Sequence, residues 1–159
     1  MGFSDWLLAL HLLAAFALVA ALVVFTAVMV ADWGEARPQR AAAFFLLARV
    51  GGPLIAAGAA LTLILGIWLA IDLDAYQPWD GWIIAAIVLW MAAGGVGGQT
   101  SKAYLQGMRK AEELEQAGQH GPNAELLALN RTQRGLALHT IGSVLLLLLL
   151  VDMIWKPGA

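Results

Sequence analysis

Four apolar runs, each long enough to cross a lipid bilayer as a helix, constrain this chain more than any other feature. They lie at about Trp6–Val30, Val50–Ile71, Trp82–Thr100 and Gly135–Trp155. A helix needs ~20 apolar residues to cross a hydrocarbon core ~30 Å thick. In lipid, each backbone N–H and C=O must find its partner within the chain, so runs of this kind form helices. Composition agrees: 61% of the residues are hydrophobic and 13% are charged, against about 25% charged in a soluble domain. No Lys or Arg precedes the first run, which continues to Ala31, well beyond the ~7–15 residues of a signal-peptide core. It reads as a retained span, and the whole chain as one membrane domain.

The charges orient the spans. Of the 9 Lys and Arg residues, all but Lys156 lie between spans one and two (Arg37, Arg40, Arg49) or between spans three and four (Lys102, Arg109, Lys110, Arg131, Arg134). The other side carries Asp5, Asp72, Asp74, Asp80 and Asp152. The positive-inside rule then predicts a multi-pass protein of the cell inner membrane, with the basic segments in the cytoplasm and both termini outside. Trp6, Trp79, Trp82 and Trp155 are expected at the outer interface and Trp33 at the inner one. Pro78 and Gly81 break the chain between spans two and three, and Asp80 is placed to cap span three.

The cytoplasmic segments also read as helical. Pro38 suits a first helical position, so span two is expected to begin early through AAAFFLLAR, with Gly51-Gly52-Pro53 as a kink or boundary. After span three, SKAYLQGMRKAEELEQAG predicts a helix ending at Gly118. QHGPN predicts a turn, and NAELLALNRTQRG leads into span four. The expected architecture is all-α: a transmembrane four-helix bundle with a cytoplasmic helical hairpin over about 101–134. The net charge of −2 argues against a nucleic-acid partner, which selects for a basic excess. With 0 Cys residues there is no disulfide, Cys-based metal site or Cys nucleophile.

GGVGGQTSK, at Gly94–Lys102, is not a phosphate loop. Such a loop needs Lys directly after its last Gly, and a strand before it. The glycines suit helix packing instead. Gly94 and Gly98 form a GxxxG pair on span three, and Gly58, Thr62 and Gly66 share one face of span two. Small residues at this spacing let helices approach closely in lipid.

No Asp or Glu lies in the interior of a span; Asp152 stands near the outer end of span four. Thr26, Thr62, Thr140, Ser143 and two histidines are the polar interruptions. A single chain therefore has no hydrophilic path, and a channel would have to be an oligomer. Arg49 sits among apolar residues. It reads as a snorkelling cation, as an anchor for a lipid phosphate or haem propionate, or as a partner of Asp32 or Glu35. His11 and His139 occur in two copies of LALH. An ionisable group within a span is a functional candidate, and imidazole is the usual axial ligand of haem b. The alternative is an imidazole that donates to a neighbouring helix carbonyl. Spans one and four run antiparallel, which separates the two rings in depth by roughly 15 Å of a ~30 Å core. One haem shared between them is therefore not expected. His120 falls in the cytoplasmic turn and reads as solvated.

LALHLLAA, GGPLIAAG, LGIWL and the terminal MIWKPG together resemble an uncharacterised bacterial family of small integral membrane proteins, a domain of unknown function, over the whole chain. The resemblance implies membrane location without an assigned activity. The LHLLAA element is also similar to the first helix of copper-resistance D-type proteins and of haem-dependent protoporphyrinogen oxidases. In the latter a first-helix histidine ligates haem, a role that maps onto His11; span three here lacks the internal Lys of that group.

The expectation is a structural or accessory membrane protein, in contact with lipid and working as a homo-oligomer or as a subunit of a membrane complex. No catalytic set is visible. The alternatives are a haem-b protein using His11, with His139 and Arg49 as further candidates, and an oligomeric channel.

Overall fold

The computed structural model describes residues 2–73, 76–77 and 79–157. It contains α1 (Phe3–Asp32), α2 (Pro38–Asp72), α3 (Gly81–Gln116), α4 (Ala124–Asn130) and α5 (Gln133–Trp155), and no strand among the described residues. By length and composition, four helical stretches qualify as membrane spans: α1, α2, α3 and the α4–α5 stretch. Asp74 and Pro78, assigned above to the turn between spans two and three, lie outside the described residues, as does Gly158 of the terminal motif.

Helix length shapes the molecule. α2 and α3 contain 35 and 36 residues. At ~1.5 Å per residue each is over 50 Å long, well beyond a ~30 Å hydrocarbon core. The start of α2 and the end of α3 therefore project together at the end of the bundle that carries most of the basic residues. The short α4 completes this projection. α5, with 23 residues, is about 35 Å long and little more than crosses.

The ends of the helices follow from local chemistry. Gly34, at φ 88°, turns the chain after α1. The Glu35 carboxylate accepts the N–H groups of Ala36 and Arg37 at 3.1 and 2.9 Å, and Pro38 opens α2 without wasting a donor. α3 stops at Gly118, whose φ of 67° suits glycine. The Asn123 side chain caps α4 by accepting the Leu126 N–H at 3.0 Å, and Thr132 caps α5 through the Gly135 N–H at 3.2 Å.

Two local expectations are corrected. α2 continues through Gly51-Gly52-Pro53, so this segment is not a boundary. A proline costs one helical hydrogen bond, and the uninterrupted turns on either side carry the helix past it. Asp80 occupies the N-cap position of α3, but its carboxylate accepts the Gln77 N–H at 2.9 Å. It ties down the preceding turn and caps no α3 donor.

α1 packs on α2, α2 on α3, and α3 on α5, with α4 against α3. Burial is inverted relative to a soluble protein. Large side chains of the spans face outward: Phe16, Leu54 and Ile154 are 69%, 68% and 72% exposed. The buried apolar cluster comprises Ala41 and Phe45 of α2, Ala111 and Leu114 of α3, and Leu126 of α4, all in the projection. Lipid gives a leucine no reason to leave it, whereas water favours burial by about 25 cal/mol per Å² of apolar surface. Only the projecting part needs a core of the ordinary kind. An Asn123 N–H to Ala36 carbonyl bond of 2.9 Å fastens α4 to the α1–α2 turn. Arg49 and Glu112, 2.8 Å apart, bridge α2 to α3.

The opposite end is tied by aromatic and polar contacts. Ser4 donates to Asp72 at 2.6 Å, and the Lys156 ammonium donates to the Tyr76 hydroxyl at 2.8 Å. Trp82, at this same end of the bundle, is buried. It meets Tyr76 edge-on at 5.1 Å between ring centroids, and Lys156 lies over it. Trp6, Trp79 and Trp155 remain exposed.

This division between two solvents predicts opposite responses to the same substitution. Leu126→Ala, at a position with 0% exposure, should destabilise the projection by ~2–5 kcal/mol and lower the melting temperature in detergent. Leu13→Ala, on the outer surface of α1, should leave it nearly unchanged.

Candidate functional site

Two polar centres stand out, one within the bundle and one where the bundle meets its projection. In the first, the His11 ring of α1 is buried against α2, and Nδ1 lies 3.0 Å from the carbonyl oxygen of Thr62. A carbonyl only accepts, so Nδ1 carries the hydrogen. Gly66 makes this contact possible. In a helix the side chain at i+4 stands beside the carbonyl of residue i. A Cβ at Gly66 would lie 2.9 Å from His11 Cε1, so only glycine leaves room for the ring. One turn earlier, the Thr62 hydroxyl donates to the Gly58 carbonyl at 2.8 Å, and Leu18 of α1 lies 3.9 Å from where a Gly58 Cβ would be. Gly58, Thr62 and Gly66 thus face α1. Among the described residues, no atom from a neighbouring element lies within 4 Å of where a Cβ on Gly94 or Gly98 would be.

His139 of α5 lies 2.9 Å from the Thr26 hydroxyl of α1 through Nε2. Thr26 spends its proton on the Leu22 carbonyl at 2.8 Å, so His139 Nε2 is the donor. The two histidines are therefore opposite tautomers. Thr26 is about four turns beyond His11 on α1, about 22 Å at 1.5 Å per residue. The fold brings His11 to α2 and His139 to α1, and does not bring the imidazoles together.

Arg49 points to Glu112 of α3, not to Asp32 or Glu35. Its side chain is 67% exposed, and a pair so open to solvent contributes at most ~1 kcal/mol. Glu35 pairs instead with Arg40 at 3.7 Å. His120 is exposed, and its Nδ1 accepts the Gln39 amide.

The second centre was not anticipated from the sequence. Asp32 and Asn130 are 4% and 1% exposed. Asn130 donates through Nδ2 to the Glu35 carbonyl at 3.0 Å and, more weakly, to Asp32 Oδ1 at 3.4 Å. Asn130 Oδ1 and the Tyr104 hydroxyl oxygen are buried with no hydrogen-bond partner among the described residues. Two glycines create the space: a Cβ at Gly107 would be 2.6 Å from Asn130 Oδ1, and one at Gly135 would be 2.8 Å from the Tyr104 ring. The legible signals were an Asp placed directly after an apolar run, and an Asn in the short break before span four. Neither residue type names a partner, which is why the pairing escaped notice.

A family model described as "Predicted integral membrane protein (DUF2269)" matches residues 5–157. No curated protein and no solved structure matches the chain.

Two outcomes follow from these centres. Gly66→Ala should displace the His11 ring and cost on the order of 1 kcal/mol, the scale of a hydrogen bond between membrane helices. In a His11→Ala background the same change should cost much less, a non-additivity that a double-mutant cycle of melting temperatures reads directly. Asn130→Ala leaves the Glu35 carbonyl and a buried carboxylate without a donor and should destabilise by ~1–3 kcal/mol. Asp32→Asn keeps an acceptor, removes a buried charge, and should melt at or above the parent.

Proposed function

We propose, since the chain belongs to the DUF2269 family of predicted integral membrane proteins, that it serves the membrane as a non-catalytic structural or accessory component. The observation behind this reading is that the polar groups of the spans are engaged in holding helices. His11 donates to Thr62, His139 to Thr26, and Trp90 to the Ala59 carbonyl at 3.2 Å. Thr100, Thr140 and Ser143 donate to carbonyls one turn back on their own helices. The bonds of His11, His139 and Trp90 fasten one helix to another, the hydroxyl bonds satisfy those groups within their own helices, and together they leave few groups free for chemistry. The open faces at Gly94 and Gly98 support a component of a homo-oligomer or a larger membrane assembly, because GxxxG faces are common helix contacts in lipid. The positive-inside rule supports an inner-membrane seat with the projection in the cytoplasm and both termini outside.

A second reading, haem-b binding, is favoured by one observation. A histidine that ligates a metal usually donates its other ring N–H to a carbonyl or carboxylate. His11 does this through Nδ1, which leaves Nε2 as the lone-pair donor. His139 of α5 meets α1 at Thr26, about 22 Å along from His11 at 1.5 Å per residue, and offers no second axial ligand; Arg49, the candidate propionate anchor, pairs with Glu112.

A visible spectrum of the purified protein supplied with haemin separates the readings. The structural reading expects no Soret band. A band lost in His11→Ala and kept in His139→Ala would replace it with the haem reading. Because the chain has 0 Cys residues, single cysteines test the seat directly. A cysteine at Gln119 should be protected from an impermeant maleimide in intact cells, and one at Phe3 should be labelled; the reverse pattern would overturn the orientation.

A further inference from the structure

We propose that the crevice between α3 and the start of α5 binds a phosphate group presented at the membrane surface. Gln99, Lys102 and Gln106 line one wall, and Thr132 and Arg134 line the other. The volume is ≈ 360 Å³, within the range of small-ligand sites. The three α3 residues recur at helical spacing and so share one face.

The charge of this crevice is uncompensated. Its lining contains two cations and no carboxylate. Among the described residues Lys102 and Arg134 form no ion pair, whereas Arg40, Arg49 and Lys110 each have an acidic partner. Lys102 and Arg134 are exposed, so both ammonium and guanidinium groups are free to converge on an anion. The glutamine amides add neutral donors. The Thr132 hydroxyl accepts the Gly135 N–H and retains its own proton to donate. α5, a helix of 23 residues, begins beside the crevice, and the positive end of its dipole favours a nearby anion. Two cations, two amides, a hydroxyl and a helix start together match a phosphate oxyanion better than a carboxylate, which offers fewer acceptor oxygens.

The depth favours the same chemistry. Lys102 follows the apolar run that ends near Thr100, and Arg134 precedes the one that begins at Gly135, so both lie at the level of lipid headgroups. Basic pockets between spans at that level hold anionic headgroups. The phosphate could belong to an acidic phospholipid or to a soluble phosphate compound. The inference depends only on membrane insertion, and stands whether the chain is structural or binds haem.

The test compares the full-length parent with the double variant Lys102→Gln/Arg134→Gln. Each is reconstituted in nanodiscs of phosphatidylcholine alone, with added phosphatidylglycerol, or in phosphatidylcholine with inorganic phosphate. Melting temperature and the lipid retained in native mass spectrometry are read out. Equal melting of the two proteins in phosphatidylcholine alone establishes that the variant folds; if it does not, the single variants Lys102→Gln and Arg134→Gln take its place. Stabilisation of the parent by phosphatidylglycerol, lost in the variant, supports a lipid headgroup. Stabilisation by inorganic phosphate, lost in the variant, supports a soluble phosphate. Arg40→Gln, an exposed cation outside the crevice, should behave like the parent in every arm. Absence of both stabilisations in the parent, or persistence in the variant of the one observed, overturns the proposal.

Discussion

Helices α2 and α3 are longer than the hydrocarbon layer is thick, and the rest of the architecture answers to that mismatch. Their excess length leaves the lipid at one end as two parallel rods with apolar stripes in water. Such stripes are stable only when covered. Phe45 and Ala41 on one rod and Ala111 and Leu114 on the other cover each other, and Leu126 of α4 closes the remaining side. α4 is only 7 residues long, too short to persist alone. It is held by the Asn123 cap, the bond to Ala36, and burial of Leu126. The short helix is a lid on a core that exists because its neighbours overshoot.

Inside the lipid the same chain is held by different means. Most large side chains there face outward, and α1 meets α2 through small residues, a few buried leucines such as Leu18, and hydrogen bonds. Gly66 and His11 illustrate the principle: removal of a side chain from one helix exposes a carbonyl, and an imidazole of the next helix takes it. The Asp32–Asn130 centre uses the same device at the boundary, with Gly107 and Gly135 clearing the space. A glycine here defines a place for a polar group on the adjacent helix.

This explains how much of the molecule could be read before its structure. The four spans and their all-helical character were legible because each rests on a long run whose physics is one-dimensional. The α1-facing stripe of Gly58, Thr62 and Gly66 was legible as a face, but not as the seat of a particular histidine. The Arg49–Glu112 and His139–Thr26 pairs were not legible at all. Each joins residues far apart in the chain, and which residue a side chain meets depends on the rotation of two helices about their axes. Trp82 shows the same limit: its type suggested the outer end of the bundle, but its packing against Tyr76 and Lys156 depends on how α3 is rotated. The Gly51-Gly52-Pro53 segment differs: of the kink and the boundary that local propensity allows there, the boundary is overridden by the surrounding helix.

The opposite tautomers of the two histidines have a use of their own. His11 holds its hydrogen on Nδ1 near one end of α1, and His139 holds its hydrogen on Nε2 against α1 near the other. Nitrogen-15 resonances distinguish the two protonated positions, so the bundle carries a pair of native, chemically distinct reporters at two depths. If α1 came away from α2, only the first would change, and if it came away from α5, only the second. Motion at the two ends can thus be told apart without attaching a label.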